Sequence, residues 1–414
     1  MRTLLLNNLP APYFTPLFAR LGELLEGKLT VCYSSDWNQT VGWEQASDEG
    51  GQAIILDRRA PKLRRWFGSG VAAAVALLKV LKTDKPEFVI CYGYTLLPQF
   101  VLLLWAIASR TPYALSGDAN FYNDASGYAR APASNRHSDN PIPRKSGRSY
   151  LKRTGRTFWL RFVVGRAAAL ICVGTASRMF WQKYGARDEQ LFQAGFAVNN
   201  FGVLRPHAAL LSINKSSGNL QSLYDERKAA TSRSTPSGKL VFLFVGRLVE
   251  RKNVRLILEA AQRLDSERFA VVIAGSGEQL DELKSLAADQ SNVHFAGNVA
   301  PADLPAVYAM ADVLVLPARD EPWGLVINEA MACGLAIIAH EHCGAAVDLV
   351  DADNGFKLSG FSVEELAAAM NCLIEDRARL RAMQERSRQK IQGWTIERSA
   401  QGIAEAVLSN RRSV

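Results

Sequence analysis

The chain has 414 residues, 48% of them hydrophobic, and is long enough for two α/β domains. Its net charge of +9 suits an anionic partner, whether nucleotide diphosphate, anionic lipid or nucleic acid, without choosing among them. Six cysteines (Cys32, Cys91, Cys172, Cys333, Cys343, Cys372) lie mostly in apolar stretches, without a CxxC pair, and read as reduced core residues of a cytosolic protein.

Residues 1–6 are too brief for a signal-peptide core before Asn7-Asn8 and Pro10. Residues 3–10 read as a first strand ending in a turn, and 13–25 as a helix with Phe14, Leu17, Phe18, Leu21 and Leu25 on one face. Residues 29–33 supply the second strand. The order recurs at 88–92, 96–108 and 113–116, with a later strand at 169–173. The first half is therefore expected to be a doubly wound sheet that receives ligands at the carboxyl ends of its strands. Loop 7–13 falls there, and so does Ser116-Gly117-Asp118-Ala119-Asn120, where Asp118 and Asn120 are either ligand contacts or an Asx turn. The longest uncharged apolar stretch, 96–109, is interrupted by Pro98 and Gln99. It falls short of the roughly 20 residues that span a bilayer, and no segment is expected to cross one.

Residues 121–147, rich in Asn, Ser, Pro and Arg, form a long loop of the functional or disordered kind, expected on the acceptor side. From 144 to 166 eight basic residues (Arg144, Lys145, Arg148, Lys152, Arg153, Arg156, Arg161, Arg166) run without an acidic one, among Tyr150, Phe158, Trp159 and Phe162. Such a stretch either lies on an anionic membrane or is a solvated face over a core stripe. Single-stranded nucleic acid also takes basic-aromatic surfaces. Residues 205–238 read as a linker region, with a helix near 220–230.

Residues 239–245 (KLVFLFV) form a buried strand that runs through Gly246 into a helix expected to end at Leu264. In that turn Arg247 can fork across phosphate oxygens and Lys252 adds a point charge, although ordinary surface charge looks the same in isolation. Strand 269–274 leads to the tight turn Gly275-Ser276-Gly277-Glu278; a short strand and loop, 293–299, ends at Val299, and 305–311 reads as a helix. The apolar run 311–317 ends in Arg319-Asp320-Glu321-Pro322, followed by a helical pattern with Gly334 as its C-cap and another strand at 335–339.

At the start of that helix the N–H groups of Gly324, Leu325 and Val326 would favour an anion such as a diphosphate. Gly324 leaves room for a ligand against the backbone. Glu321 and Glu329 flank the point, and carboxylates there can accept hydrogen bonds from sugar or ribose hydroxyls. The alternative is two carboxylates that merely favour the positive end of a helix. Cys333, His340, His342 and Cys343 lie close in sequence, but two ligands one residue apart on a strand rarely close a zinc tetrahedron, and no metal site is expected. Asp351-Ala352-Asp353 runs into Asn354-Gly355 and reads as a turn. Residues 362–369 and 377–390 are helical, and 394–408 form a terminal amphipathic helix.

Glu321, seven residues, Glu329, then AMACGLAIIA and Gly344-Ala345-Ala346-Val347-Asp348-Leu349-Val350 resemble the donor-site signature of glycosyltransferase family 4, the group 1 glycosyl transferases. The resemblance covers nearly the whole chain and is strongest from Val245 to Leu358. It implies a GT-B fold, two Rossmann-like doubly wound parallel-sheet domains facing a cleft. Residues 1–205 would form the acceptor domain and 206–390 the donor domain, with 391–414 a helix returning to the first. Arg247 and Lys252 match the family's pyrophosphate-binding pair, Gly275 and Gly277 its nucleoside-side turn, and Val299 the loop beside the base. Glu321 would hold the transferred sugar and Glu329 the ribose. Asp118 or Asn120 stands where relatives meet the reacting sugar, often with a histidine. Many members carry a glycine-rich loop at the position of 7–13, and this chain has none.

The implied activity is retaining, metal-independent transfer from a nucleotide-diphosphate-sugar to a lipid-linked saccharide or polysaccharide precursor, with no cofactor and no nucleic-acid partner. The site would be cytoplasmic, at the inner face of the membrane if 144–166 binds lipid. Two rivals are a nucleotide-sugar epimerase on the same architecture and a non-catalytic membrane-surface protein that keeps the nucleotide pocket.

Overall fold

The structure, a computed structural model, describes residues 1–11, 13–35, 53–117, 147–197 and 238–410, with the side chains of 147–153 outside the description. The chain divides into two compact units, Met1–Phe196 with Ile396–Val414, and Ala197–Thr395. The expected boundary at 205/206, the acceptor-side loop, the 220–230 helix, Asp118 and Asn120 all lie outside the described residues.

The first unit runs β1 (Thr3–Asn7), α1 (Phe14–Leu24), β2 (Leu29–Tyr33), β3 (Ala53–Ile55), α2 (Pro61–Asp84), β4 (Phe88–Tyr92), α3 (Leu97–Ser109), β5 (Tyr113–Ser116), α4 (Gly147–Val164), β6 (Ala169–Cys172), α5 (Thr175–Lys183) and β7 (Leu191–Gln193). Its seven strands are parallel, in the order β3-β2-β1-β4-β5-β6-β7. Side chains alternate across the sheet. Leu4 and Leu6 therefore join one core with α2, α3, α4 and α5, while Leu5 joins the other with α1 and the C-terminal helix.

Strand β3 and helix α2 are not evident in the sequence. Three residues at a sheet edge carry no alternation, and the apolar period of α2 starts only after Gly68-Ser69-Gly70, where Gly68 takes φ 82°. By length and composition α2 could cross a bilayer, so the sequence expectation overlooked a second apolar stretch. Its inner stripe, Ala72, Ala73, Ala76, Leu77, Val80 and Leu81, is instead buried in the first unit.

The second unit runs β8 (Leu240–Val245), a 3-10 turn (Glu250–Lys252), α6 (Val254–Ala261), β9 (Phe269–Ala274), α7 (Leu280–Leu286), β10 (Val293–Gly297), α8 (Leu304–Ala309), β11 (Val313–Leu316), α9 (Leu325–Ala332), β12 (Ala336–His340), α10 (Gly344–Leu349), β13 (Gly355–Leu358), α11 (Val363–Glu375) and α12 (Arg377–Ile391). Strands β8, β9 and β11 are buried throughout, as expected when helices cover both faces of a parallel sheet. The order β10-β9-β8-β11-β12-β13 reverses between β8 and β11. The loops leaving those two strands therefore diverge to opposite sides and leave the crevice where α/β sheets take ligands.

The last helix, α13 (Ile396–Leu408), packs on α1, β6 and β7 of the first unit. Ala400, Ile403, Ala404 and Val407 enter its second core, and Arg20 Nε donates to Glu397 at 2.5 Å. A Cβ at Gly402 would stand 2.3 Å from the Gln193 carbonyl, so this helix meets the edge strand backbone to backbone.

Candidate functional site

The site is built from the loops after β8 and β11. The sequence placed Gly246–Asn253 in a turn with a helix after it through Leu264. Asn253 adopts a left-handed conformation (φ 55°), and the helix begins at Val254 but ends earlier than expected, at Ala261. Lys252 thereby sits in a 3-10 turn, and its Cε lies 3.9 Å from the place a Cβ would take on Gly246. Asn253 anchors the turn by donating to the Pro317 carbonyl at 3.3 Å, and the Arg319 N–H donates to the Arg251 carbonyl at 2.8 Å.

These bonds join the two loops. Lys252 and Glu321, 69 residues apart in sequence, pair through Nζ and Oε2 with only 10% and 11% of their side chains exposed. Arg251 donates to the Asp320 carbonyl at 2.8 Å and stands 3.8 Å from Glu321. Burial raises the Asp320 carboxyl above its ordinary range, partly offset by Arg251. The Arg247 side chain is exposed and makes no hydrogen bond or ion pair with a described residue.

The turn 321–324 rests on the start of α10. Gly344 N–H donates to the Glu321 carbonyl at 3.2 Å, Ala345 N–H to the Trp323 carbonyl at 2.8 Å, and the Cys343 thiol to the same Trp323 oxygen at 2.8 Å. Trp323 is buried against Trp394, and its indole donates to Asn328 at 2.9 Å. Gly324 takes φ 95°, and a Cβ there would fall 2.7 Å from Cys343 Sγ. It caps α9 with no side chain, and the N–H groups of Gly324, Leu325 and Val326 have no acceptor among the described residues. Such a helix start favours a bound anion.

Glu329 lies a turn further along α9, half-buried, and accepts from the Tyr308 phenol at 2.6 Å. Burial pushes its carboxyl up to about 7, partly offset by that hydrogen bond, and pushes the Tyr308 phenol well above its usual range. Glu321 and Glu329 thus occupy different environments, one ion-paired and one desolvated beside a phenol.

Gly275 and Gly277 do work of another kind. A Cβ on Gly275 would stand 1.8 Å from the Gly246 carbonyl and one on Gly277 2.3 Å from that of Leu248. Gly246 N–H donates to Ala274, Leu248 N–H to Ser276, Gln279 N–H to Leu248 and Gly275 N–H to Gly297. The turn after β9 is therefore stitched to its neighbours on both sides. Val299 lies half-buried in the loop after β10.

The cysteines and histidines near α9 have separate contacts. His340 is buried, stacks on Phe361 with ring centres 3.9 Å apart, and accepts the His342 N–H on Nδ1. Burial, with His342 and Arg319 nearby, holds its imidazole down at about 3. Among the described residues no group of three or more His, Cys, Asp or Glu could hold a metal. In the first unit Asn7 is buried at the end of β1, and its amide donates to the Leu9 carbonyl at 3.3 Å. Of the basic-aromatic stretch, Arg144 and Lys145 are outside the described residues, Phe158 is exposed, and Trp159 and Phe162 pack against the first core. Arg156 turns inward, donating to the Tyr94 and Tyr184 hydroxyls at 3.1 Å each.

Sequence reasoning missed Tyr308, Arg251, Asn253, Trp323 and Asn328. Arg251 and Asn253 flank Lys252 and could have been considered with it. Tyr308 is 21 residues from Glu329, and no local pattern connects the two.

Residues 225–390 match the family model described as Glycosyl transferases group 1. D-inositol 3-phosphate glycosyltransferase of Rhodococcus opacus is 32% identical over 178 residues, 40% of this chain and 40% of that protein. The GDP-mannose-dependent alpha-(1-6)-phosphatidylinositol monomannoside mannosyltransferase of Mycolicibacterium smegmatis is 30% identical over 201 residues, 45% of this chain and 52% of that protein. The chain thus spans about half or less of the length of these curated relatives. Among solved structures, HepE from Anabaena in complex with UDP and glucose superposes with a TM-score of 0.65 at 19% identity, covering 99% of this chain and 100% of that one. WaaG, a glycosyltransferase involved in lipopolysaccharide biosynthesis, gives 0.62 at 17% identity over 97% and 98%. At these identities the likeness speaks for the fold. Residues 225–390 are a domain of the glycosyl transferases group 1 family, and the chain that carries them has the GT-B fold of two Rossmann-like parallel-sheet units.

Proposed function

We propose that the protein is a retaining glycosyltransferase of family 4 that moves a sugar from a nucleotide-diphosphate-sugar to a saccharide acceptor, either lipid-linked or a polysaccharide precursor. The observation that supports this most is the meeting of Lys252 and Glu321 at the strand-order reversal, on a turn leading into three uncapped N–H groups. The relatives' names, with their GDP-mannose donor and inositol-based acceptors, and the UDP and glucose named for HepE point the same way.

As the bond between the anomeric carbon and the phosphate oxygen breaks, negative charge gathers on the departing diphosphate. Arg247, Lys252 and the N–H groups of Gly324, Leu325 and Val326 receive it, stabilising the transition state more than the ground state. The Lys252 ammonium has three N–H donors and can hold Glu321 and a phosphate oxygen together. Glu321 accepts from hydroxyls of the transferred sugar and Glu329 from the ribose, while the Gly275–Gly277 turn and Val299 border the nucleoside. In a front-face route the leaving phosphate takes the acceptor's proton, so no second catalytic carboxylate is required. Side chains and a helix start supply the positive charge, and no divalent metal is called for.

Incubation with a panel of UDP-, GDP- and ADP-sugars tests the reading. One donor should be slowly hydrolysed, with the configuration at its anomeric carbon retained in the product, and EDTA should leave the rate largely unchanged. Hydrolysis of none, or conversion to an epimer without hydrolysis, would overturn the transferase assignment. Full loss with EDTA, restored by Mg²⁺ or Mn²⁺, would overturn the metal-independent route.

A further inference from the structure

We propose that the outer face of the α2–α3–α4 layer docks on an anionic lipid bilayer, with Trp66 and Phe67 entering the interface. The proposal goes beyond glycosyl transfer and stands whether or not the donor-site reading holds.

Every exposed large hydrophobic side chain among the described residues belongs to these three helices or to the residue that starts α3. Trp66 is 78% exposed, Phe67 67%, Phe158 73% and Leu104 51%, and none lies among the described residues of the second unit. The inner sides of the same helices, through Leu77, Leu103 and Leu160, are already buried in one core. The outward apolar residues are therefore additional to that core, and exposed aromatics gathered in one region mark an interaction surface.

The charge is one-sided. No acidic residue occurs from Arg58 to Thr83, along α3, or from Gly147 to Arg187. Arg59, Lys62 and Arg65 are exposed around Trp66 and Phe67, and Arg161 and Arg166 are exposed on α4. Asp84, at the far end of α2, accepts from Thr30 at 3.3 Å. Gly68, with φ 82° and open space where a Cβ would be, separates the basic-aromatic start of α2 from its core-packed remainder.

Basic side chains draw a surface toward anionic headgroups, and tryptophan beside them settles at the lipid–water boundary. A second copy of this chain would bring the same cations face to face. Nucleic acid would use the cations and aromatics and leave the aliphatic area, Leu78, Leu97 and Leu104, without a partner.

The test is vesicle co-sedimentation with phosphatidylcholine, with and without phosphatidylglycerol, at low and high salt. The wild type should bind the anionic vesicles, and salt should weaken binding. Trp66→Ala/Phe67→Ala should weaken it about tenfold. With each basic residue near the surface worth about fivefold, Arg59→Glu/Lys62→Glu/Arg65→Glu should weaken it at least about 100-fold. Phe158→Ala probes the same face from another helix, and circular dichroism checks that each variant is folded. Lys284→Glu/Lys357→Glu/Arg381→Glu, an equal charge change on the second unit, should bind like the wild type. Equal loss in that control would reduce the effect to net charge and overturn the proposal. So would failure of the wild type to bind, or loss of self-association or of RNA binding in the α2 variants with vesicle binding intact.

Discussion

Lys252 and Arg247 carry the same proposed charge role in different surroundings, so their alanine variants should differ in stability and agree in activity. Each should lose at least roughly 100-fold in turnover, since one transition-state donor is typically worth 10²–10³. Lys252→Ala also leaves the Glu321 carboxylate buried without its main partner, a change that costs about 3 kcal/mol in such pairs. Arg247 is exposed and without a partner among the described residues, so Arg247→Ala should unfold at the wild-type urea midpoint. Near-normal turnover in both variants would remove the donor-site assignment. Glu329 makes a separate pH argument. Its carboxyl sits near 7 in the fold and near 4.3 in the unfolded chain, so the native state holds the extra proton between those values. Stability from this group is complete below about pH 4.3 and falls by about 1.4 kcal/mol per pH unit up to about 7. In Glu329→Gln that slope should vanish from urea titrations across the same window. Nucleoside-diphosphate affinity should rise through pH 7 in the wild type and stay flat in the variant. A flat wild-type profile would argue against a ribose-facing carboxylate.

Among the elements, three loops, after β8, β9 and β10, form one hydrogen-bonded unit because glycines let their backbones touch. Gly275→Ala forces a Cβ into the Gly246 carbonyl at a positive φ of 149°, and should cost about 3 kcal/mol in urea unfolding. Gly297→Ala, at φ 68° with open space around it, should cost about 1 kcal/mol. A comparable cost for both would mean that conformation, and not loop contact, sets the requirement. The Gly-Ser-Gly turn was legible in the sequence as a tight turn. Its partner, the carbonyl of a glycine 29 positions earlier, was not, because local pattern does not encode which turns abut. The turn after β8 carries the same lesson. The sequence marks residues 246–253 as a turn, yet only the fold has the Asn253 amide donate to the Pro317 carbonyl, placing Lys252 against Glu321.

For the whole molecule, the first unit is completed by residues from the far end of the chain. Ile403 on α13 is 1% exposed within a core that includes Leu17, Leu21 and Ile171. Ile403→Ala should cost about 3 kcal/mol, as buried large-to-small changes do, and the loss should appear in the unfolding of the first unit. Glu397→Ala removes a partly exposed pair with Arg20 and a hydrogen bond from Gln401, and should move the midpoint little. If Ile403→Ala were silent and Glu397→Ala severe, α13 would be held by charge and not by apolar burial.

The sequence by itself determined the alternation of strands and helices, the acidic turn and uncapped helix start at 318–334, and the basic pair after β8. Those are encoded in apolar runs, glycines and charges within a few residues of one another. It also marked the terminal amphipathic helix through its period. Only the tertiary structure decided that Lys252 pairs with Glu321, that Tyr308 meets Glu329, and that Gly344 and Ala345 support the acidic turn. It alone revealed α2, whose signal is broken by Gly68, and the helix layer on which Trp66 and Phe67 stand exposed. Each of these depends on which strand lies beside which, a choice made by burial summed over two sheets and not by any local stretch.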